Sequence, residues 1–359
     1  MSINIQPNES EILFKCEKRL RDALPREWRL SCRFEIKRNK SWVDAIFDVT
    51  SPSDETTTFT VEAKRSFQPK ALLAAVEQIQ FLIDPNMDDG EQPLIATDYL
   101  SRRSRELLLE RDINWIDTTG NMRLVSSRPG LFIERSGAQK DPWRRDEPLQ
   151  SLRGKGAGRA MRALVDTRPP YGVREIALRT GASAPTLSRV IELLEQEAIL
   201  ERDKRGGVLE LNWPAAIRRW SEDYPGLRSN KPRKFLEPRG FDELKRKLEK
   251  TSIPYAVTSS FAAKSFAPFA PTQSAVIYVT DIYRAESELG LRPSEMGSNV
   301  LLVEPLDSVA FERSIRRDGI TMAAPSQIAV DLLTGPGREP AEGEALIQWM
   351  EKNEDVWRS

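Results

Sequence analysis

Two polar stretches containing Gly and Pro, RSGAQKDPWRRDEPLQ (135–150) and YPGLRSNKPRK (224–234), interrupt the hydrophobic patterning and cut the chain into three blocks. At 359 residues the chain is longer than a single core usually organises. The blocks are therefore expected to be domains, over 1–140, 151–222 and 235–359, and the expected fold class is multidomain α/β and α+β.

The first block alternates helical and strand periods. Ile12, Leu13, Cys16, Leu20 and Leu24 fall at helical spacing within 9–24. WVDAIFDV (42–49) and TTFTVEAK (57–64) alternate as strands, with SPSDET as the turn between them. ALLAAVEQIQFLID (71–84) reads as an amphipathic helix, PLIAT (93–97) as a short buried strand, and SRRSRELLLERD (101–112) as a helix capped by Ser101. INWIDTTGNMRLV (113–125) reads as two short strands around a turn. Gly120 and Asn121 are residue types able to adopt positive φ, so a tight turn explains them, and a functional role for Asp117 is the alternative.

Chemistry is bounded first by what is missing. The chain contains no histidine, which excludes a Ser-His-Asp triad, imidazole acid–base catalysis and imidazole-ligated zinc. Any catalysis must rest on carboxylates, lysine and a hard cation such as magnesium. Cys16 and Cys32 make no metal pattern, and so few cysteines suit a reducing compartment. MSINIQPNESEILFK lacks the basic flank and apolar core of a signal peptide, and no apolar run reaches membrane-spanning length. The expectation is a cytoplasmic protein with no membrane partner.

Within the first block, Asp44 lies on one strand, and Glu62 and Lys64 lie two apart on the next, so the pair shares a face. Asp44 and Glu62 could position a magnesium ion while Lys64 stabilises charge developing on phosphorus. Asp48 is a same-parity substitute for Asp44, Glu17 an accessory acid, and Gln78 a group to orient phosphate or metal-bound water. This arrangement resembles the PD-(D/E)xK nuclease-like superfamily, although Trp42-Val43 stand where its Pro-Asp doublet would. The plain alternative is a set of charges on an exposed sheet face.

The middle block carries a second mechanism. In GVREIALRTGASAPTLSRVIELLEQEAILERDKRGGVLELN (172–212), Val173, Ile176, Ala177 and Leu178 form one side of a short helix. Gly181 supplies a turn and Ser183 a cap, and Leu187, Val190, Ile191 and Leu194 form the core face of the next helix. Ser183, Thr186, Ser188 and Arg189 remain to face a major groove. A hairpin follows with Lys204 and Arg205 at its tip, placed to reach phosphates. Although Lys+Arg and Asp+Glu both total 54, residues 151–213 hold eleven basic against eight acidic side chains, with Arg153, Lys155, Arg159 and Arg162 leading. The reading is a winged helix-turn-helix that binds double-stranded DNA.

The succession YLSRRSRELLLERDINWIDTTGNMRL (99–124), the winged helix, SIPYAVTSSFAAKSFAPF (252–269) and APSQIAVDLLTGPGREPAEGEALIQWM (324–350) spans most of the chain. As an ordered set it resembles the AbiEi-type transcriptional regulators, antitoxins of type IV toxin–antitoxin systems, in their long form with a nuclease-like N-terminal domain. The resemblance implies a repressor of its own operon that offsets a nucleotidyltransferase-like toxin encoded nearby, with homodimerisation a candidate assembly. It also implies a nucleotidyltransferase-like last block. There Thr258-Ser259-Ser260 takes the place of the usual Gly-Ser turn, but AVIYVT (275–280) carries no paired carboxylates and Asp281 arrives only at its end, so nucleotide transfer is not expected. The competing function is a magnesium-dependent DNA nuclease targeted by the winged helix, acting in phage or plasmid defence; a third reading is an interaction scaffold.

Overall fold

The computed structural model describes residues 7–38, 41–65, 69–83, 91–143 and 151–359; the final part of the expected linker, 144–150, lies outside them. The chain is mixed α/β and divides into two compact units, Met1–Asp146 with Gln196–Ala198, and Glu147–Glu195 with Ile199–Ser359.

The first unit comprises α1 (Glu9–Arg21), β1 (Arg29–Arg38), β2 (Ser41–Thr50), β3 (Thr56–Lys64), α2 (Pro69–Leu82), β4 (Glu91–Thr97), α3 (Arg102–Leu109), β5 (Asn114–Asp117), β6 (Met122–Ser126) and β7 (Leu131–Arg135). The seven strands form one sheet in sequence order. Only β3–β4 and β4–β5 are parallel, and parallel neighbours need a crossover, which α2 and α3 provide. A reciprocal Asn8–Glu11 capping box starts α1, whose Ile12, Leu13, Cys16 and Leu20 are buried against Ala45, Phe47, Val49, Phe59, Val61 and Ala63. The other side of the sheet forms a second cluster, in which Leu72, Val76 and Ile79 of α2 meet Ile95, Leu108 and Trp115. Side chains alternate across a strand, so Asp44, Glu62 and Lys64 have the opposite parity to the α1-facing residues. Strands β1 and β7 extend the expected sheet at its two edges.

The second unit begins with α4 (Lys155–Val165), α5 (Val173–Thr180), α6 (Ala184–Gln196), the hairpin β8 (Leu200–Arg202) and β9 (Val208–Leu211), and α7 (Trp213–Asp223). It continues through a 3-10 turn (Leu227–Asn230), β10 (Arg233–Leu236), α8 (Phe241–Lys250), β11 (Tyr255–Thr258), α9 (Ser259–Ala263), β12 (Ala275–Val279), α10 (Ile282–Leu289), β13 (Arg292–Pro293) and β14 (Val300–Val303). A second 3-10 turn (Ser308–Phe311), β15 (Ile315–Arg317), β16 (Ile320–Met322), α11 (Pro325–Leu333), α12 (Glu339–Lys352) and α13 (Glu354–Trp357) complete it. Its larger sheet runs β13-β10-β14-β12-β11-β16-β15, with β12–β14 and β11–β16 parallel.

One correction concerns domain organisation. The blocks 151–222 and 235–359, expected as separate domains, share a continuous core that runs from Leu152 to Trp357. The polar stretch 224–234 does not part them. Tyr224 donates its hydroxyl to Asp331 at 3.0 Å, and Leu227 packs on the core. Trp213 meets Trp357 edge to face at 4.9 Å, and Arg218 pairs with Glu344 at 2.8 Å. A second correction concerns Leu178: helical spacing groups it with the core of α5, yet it is 87% exposed, and only Ile176 of that helix is buried.

No described helix is long and apolar enough to cross a membrane.

Candidate functional site

In the first unit the pairing of Ala45 with Val61 sets β2 against β3 so that Asp44 falls opposite Glu62. The ladder ends there, and the Asp44 carboxylate takes over: its Oδ2 accepts the Ala63 backbone N–H at 2.7 Å. Glu62 is nearly buried, and its Oε1 accepts from Lys64 Nζ at 2.5 Å. Burial and the neighbouring Asp44 charge push the Glu62 carboxyl above the ordinary range, although Lys64 opposes the shift. Burial disfavours the Lys64 ammonium, but the Glu62 bond and the charges of Glu62, Asp44 and Glu9 outweigh it and raise its pKa. Asp44, Glu62 and Lys64 therefore act electrostatically as one cluster.

The accessory residues fall differently. Glu17 pairs with Arg21 one turn along α1, at 2.7 Å. Asp48 accepts from Arg33 at 2.9 Å and from Thr58 at 2.8 Å, so it is no substitute for Asp44. Gln78 lies on the exposed side of α2, and no hydrogen bond joins it to the cluster among the described residues. Of the acids on α1, Glu9 in its first turn is the one whose charge reaches Glu62 and Lys64, more weakly than that of Asp44. Nothing in its local sequence distinguishes Glu9 from the other acids of that helix; tertiary folding alone brings its charge near.

Asp117 is structural. Its Oδ1 accepts the N–H groups of Thr119, Gly120 and Asn121 at 2.9–3.1 Å, and its Oδ2 accepts from Leu100 N–H and Asn121 Nδ2. Gly120 takes φ +107°, as the turn requires. Burial pushes both cysteine thiols up, that of Cys32 to about 12, so neither is a ready thiolate.

Among the described residues no cluster of three or more carboxylates or thiols is placed to hold a metal. Two carboxylates suffice for magnesium, which keeps most of its water. Asp44 and Glu62 meet that lesser requirement, and the repulsion between them is what a cation would relieve.

In the second unit, α5 ends at Gly181 in the left-handed conformation, φ +64°, and the chain turns into α6. Ser183 occupies the position before α6, and its carbonyl accepts the Leu187 N–H at 2.9 Å. Leu187, Val190, Ile191 and Leu194 are buried as the spacing predicts. Ser183, Ser188 and Arg189 are exposed and Thr186 is half-buried, so the polar side of α6 looks outward. The β8–β9 hairpin presents Lys204 and Arg205 at an exposed tip. Asp203 shapes the tip: its Oδ1 accepts the N–H of Arg205 at 2.7 Å and of Gly207 at 2.9 Å, and these bonds hold its carboxyl below the usual range.

The basic run that opens this block divides in two. Arg159 pairs with Asp307 at 2.5 Å and Glu312 at 2.7 Å. Arg162 is buried, pairs with Asp166 at 2.8 Å and donates to the carbonyls of Val309 and Glu312. Both fasten α4 to the turn at 307–312. Arg153, Lys155, Arg189, Lys204 and Arg205, by contrast, have no carboxylate within ion-pair distance among the described residues. Arg153 and Arg189 line one shallow groove with Gly156 and Thr186.

In the larger sheet β12 is wholly buried and carries no acid, and Asp281 caps α10 by accepting the Arg284 N–H at 3.0 Å. Thr258 donates to Asp331 at 2.6 Å and Ser259 to Glu339 at 3.0 Å, so the Thr-Ser-Ser segment is tied into internal bonds. Comparison of the chain with family models, curated proteins and solved structures gave no match.

Proposed function

We propose that this protein is a DNA-binding transcriptional regulator of the AbiEi type, which grips duplex DNA through α5, α6 and the β8–β9 hairpin acting as a winged helix-turn-helix. One observation carries the reading. Arg189, Lys204 and Arg205 have no carboxylate within ion-pair distance among the described residues, whereas Arg159 and Arg162 on α4 and Arg202 at the base of the wing are paired internally. Unpaired cations grouped around a polar helix face are what phosphate contact requires. In this reading Thr186, Ser188 and Arg189 meet base edges, Ser183 meets the backbone at the start of the helix, and Lys204 and Arg205 hold phosphates. The first unit then takes a nuclease-like fold and the β10–β16 sheet a degenerate nucleotidyltransferase-like one. The resemblance supplies the remaining elements, namely homodimerisation and a nucleotidyltransferase-like toxin as the antagonised partner.

Selection from a random duplex library, followed by anisotropy titrations, tests this. Arg189→Ala should weaken the selected site by about 10- to 100-fold and relax its sequence preference. Replacing Lys204 and Arg205 with Ala should weaken all duplexes alike and lower the salt slope by about one per charge. Binding indifferent to both changes sinks the assignment.

A second reading, a magnesium-dependent deoxyribonuclease, is favoured by the convergence of Asp44, Glu62 and Lys64. Asp44 and Glu62 would hold magnesium, which would supply Lewis acidity to the scissile phosphate, and Lys64 would stabilise the charge developing there. Plasmid cleavage lost in both Glu62→Gln and Lys64→Ala would establish it; no cleavage of single- or double-stranded DNA by the folded protein with Mg²⁺ or Mn²⁺ would reject it.

A further inference from the structure

The second unit has a partly open hollow between the start of α4, the end of α7 and the turn after β14. Its walls are mainly apolar, formed by Leu152, Trp220, Pro225, Leu306 and Val309. An apolar wall with few polar groups is the usual make-up of a small-molecule site. The polar residues that line it are mostly committed elsewhere. Tyr224, Tyr278 and Gln327 all donate to Asp331, at 2.9–3.1 Å. Asp307 accepts from Arg159 and from the Val309 N–H.

Two polar atoms are left over. Trp220 is 1% exposed, and its indole N–H has no partner among the described residues. The Asn230 side-chain oxygen is buried and likewise unpartnered there. A buried donor or acceptor without a partner is costly, so two of them on residues lining one hollow mark a place where a ligand gains by binding. The third element is α4 itself. Its N-cap is Gly154, which offers no side-chain cap, and no acceptor is seen for the N–H groups of Lys155, Gly156 and Ala157 among the described residues. Gly154, Lys155 and Gly158 line the hollow, and a Cβ at Gly158 would lie 3.7 Å from Cζ2 of the Trp220 indole, beside its N–H edge. Free N–H groups at a helix start, with a lysine among them, favour an anion.

We propose that this hollow binds a single-ring aromatic carboxylate bearing a hydroxyl group. The ring is taken by the apolar walls. The hydroxyl can accept from the Trp220 N–H and donate to the Asn230 oxygen. The carboxylate answers the α4 N-terminus and Lys155. None of Thr186, Ser188, Arg189, Lys204 and Arg205 lines this hollow, so its fate does not depend on theirs.

Calorimetric titration of the full chain with salicylate and 4-hydroxybenzoate tests the proposal, with benzoate, phenol and inorganic phosphate alongside. At least one hydroxybenzoate should saturate a single site about tenfold more tightly than benzoate or phenol, and phosphate should not saturate it. In the ¹⁵N-tryptophan spectrum, the indole resonance assigned by Trp220→Phe should shift on binding. Leu306 is 52% exposed, so Leu306→Trp should close the mouth and abolish binding without lowering the melting temperature. Lys155→Gln, also at an exposed position, should weaken binding about tenfold. No saturation at millimolar hydroxybenzoate overturns the site, as does binding unaltered in both variants. Equal competition by phosphate overturns the ring-and-hydroxyl assignment.

Discussion

Lys64 is the counter-ion that lets Glu62 be charged where water scarcely reaches it. Its own side chain is 44% exposed while that of Glu62 is only 5% exposed, so the two ends of the bond differ in what they lose when it breaks. Removing the lysine leaves a buried carboxylate without a partner. Lys64→Ala should destabilise the first unit by about 1–2 kcal/mol, a figure already reduced for solvent screening of the lysine. The sign of the pH dependence follows from the raised Glu62 pKa. The folded state holds the proton more tightly than the unfolded chain, so the stability linked to that proton is present in acid and lost as pH rises through the folded pKa. The loss should be larger in Lys64→Ala and absent once Glu62→Gln is added, as urea titrations at several pH values would show. Asp331 offers a stronger case in the second unit. Burial pushes its carboxyl from 3.8 up to about 6, even against hydrogen bonds from Thr258, Tyr278, Tyr224 and Gln327. Stability of this unit should therefore fall by about 2–3 kcal/mol between pH 4 and pH 6 and then level off. Asp331→Asn should flatten that decline, and a decline unchanged in the variant would assign it to another group.

At the scale of elements, the β8–β9 hairpin shows how a residue that touches no ligand can set a binding surface. Asp203 gathers the N–H groups of Arg205 and Gly207 and thereby fixes the direction in which the tip points. Asp203→Ala removes a negative charge beside Lys204 and Arg205, which by charge alone would strengthen DNA binding. If the turn geometry matters more, affinity falls instead, because the two cations must then be ordered on contact. We expect a net loss of about three- to tenfold with the salt slope unchanged, read by anisotropy; a gain in affinity would show that charge, not shape, governs the tip. Elements with a strong hydrophobic period are legible in the amino-acid pattern alone. The apolar faces of α1 and α6 follow directly from spacing, and the turn at Gly181 from the need for positive φ. Strand β1 carries the period of a strand as well, with Leu30, Cys32, Phe34 and Ile36 alternating strictly with an almost entirely charged face. That is how an edge strand commonly looks. Leu178 misleads: its spacing on α5 is that of a core residue, and only tertiary packing decides that the helix buries Ile176 instead.

At the scale of the whole molecule, the division into units is where local pattern has least purchase. Asp44, Glu62 and Lys64 can be brought together from spacing because a hairpin joins them, whereas Glu9, the carboxylates that pair with Arg159 and the carbonyls that hold Arg162 lie far away in sequence. The same long-range contacts erase the boundary expected near 224–234. Helix α7 buries Trp213, Ala216, Ile217 and Trp220, and α11 packs on it. Arg358 donates to the Val165 carbonyl at 2.9 Å, tying the end of α4 to the last turn of the chain. A segment limited to 151–223 would therefore expose the apolar side of α7 and leave Arg162 without its carbonyl acceptors at Val309 and Glu312. Loss of burial of two tryptophans and an isoleucine alone removes about 5 kcal/mol or more, comparable to the whole stability of a domain this small. The fragment 151–223 should accordingly be poorly folded, with collapsed amide dispersion in its NMR spectrum, while 151–359 should unfold in a single cooperative transition. Within 151–359, Arg162→Ala should cost about 3 kcal/mol, because buried Asp166 then keeps only the Ser326 hydroxyl and Arg313 at 4.0 Å. A fragment 151–223 with native-like dispersion and its own cooperative melt would contradict the shared core. It would return the three α4–α6 helices and their hairpin to the status of an independent module.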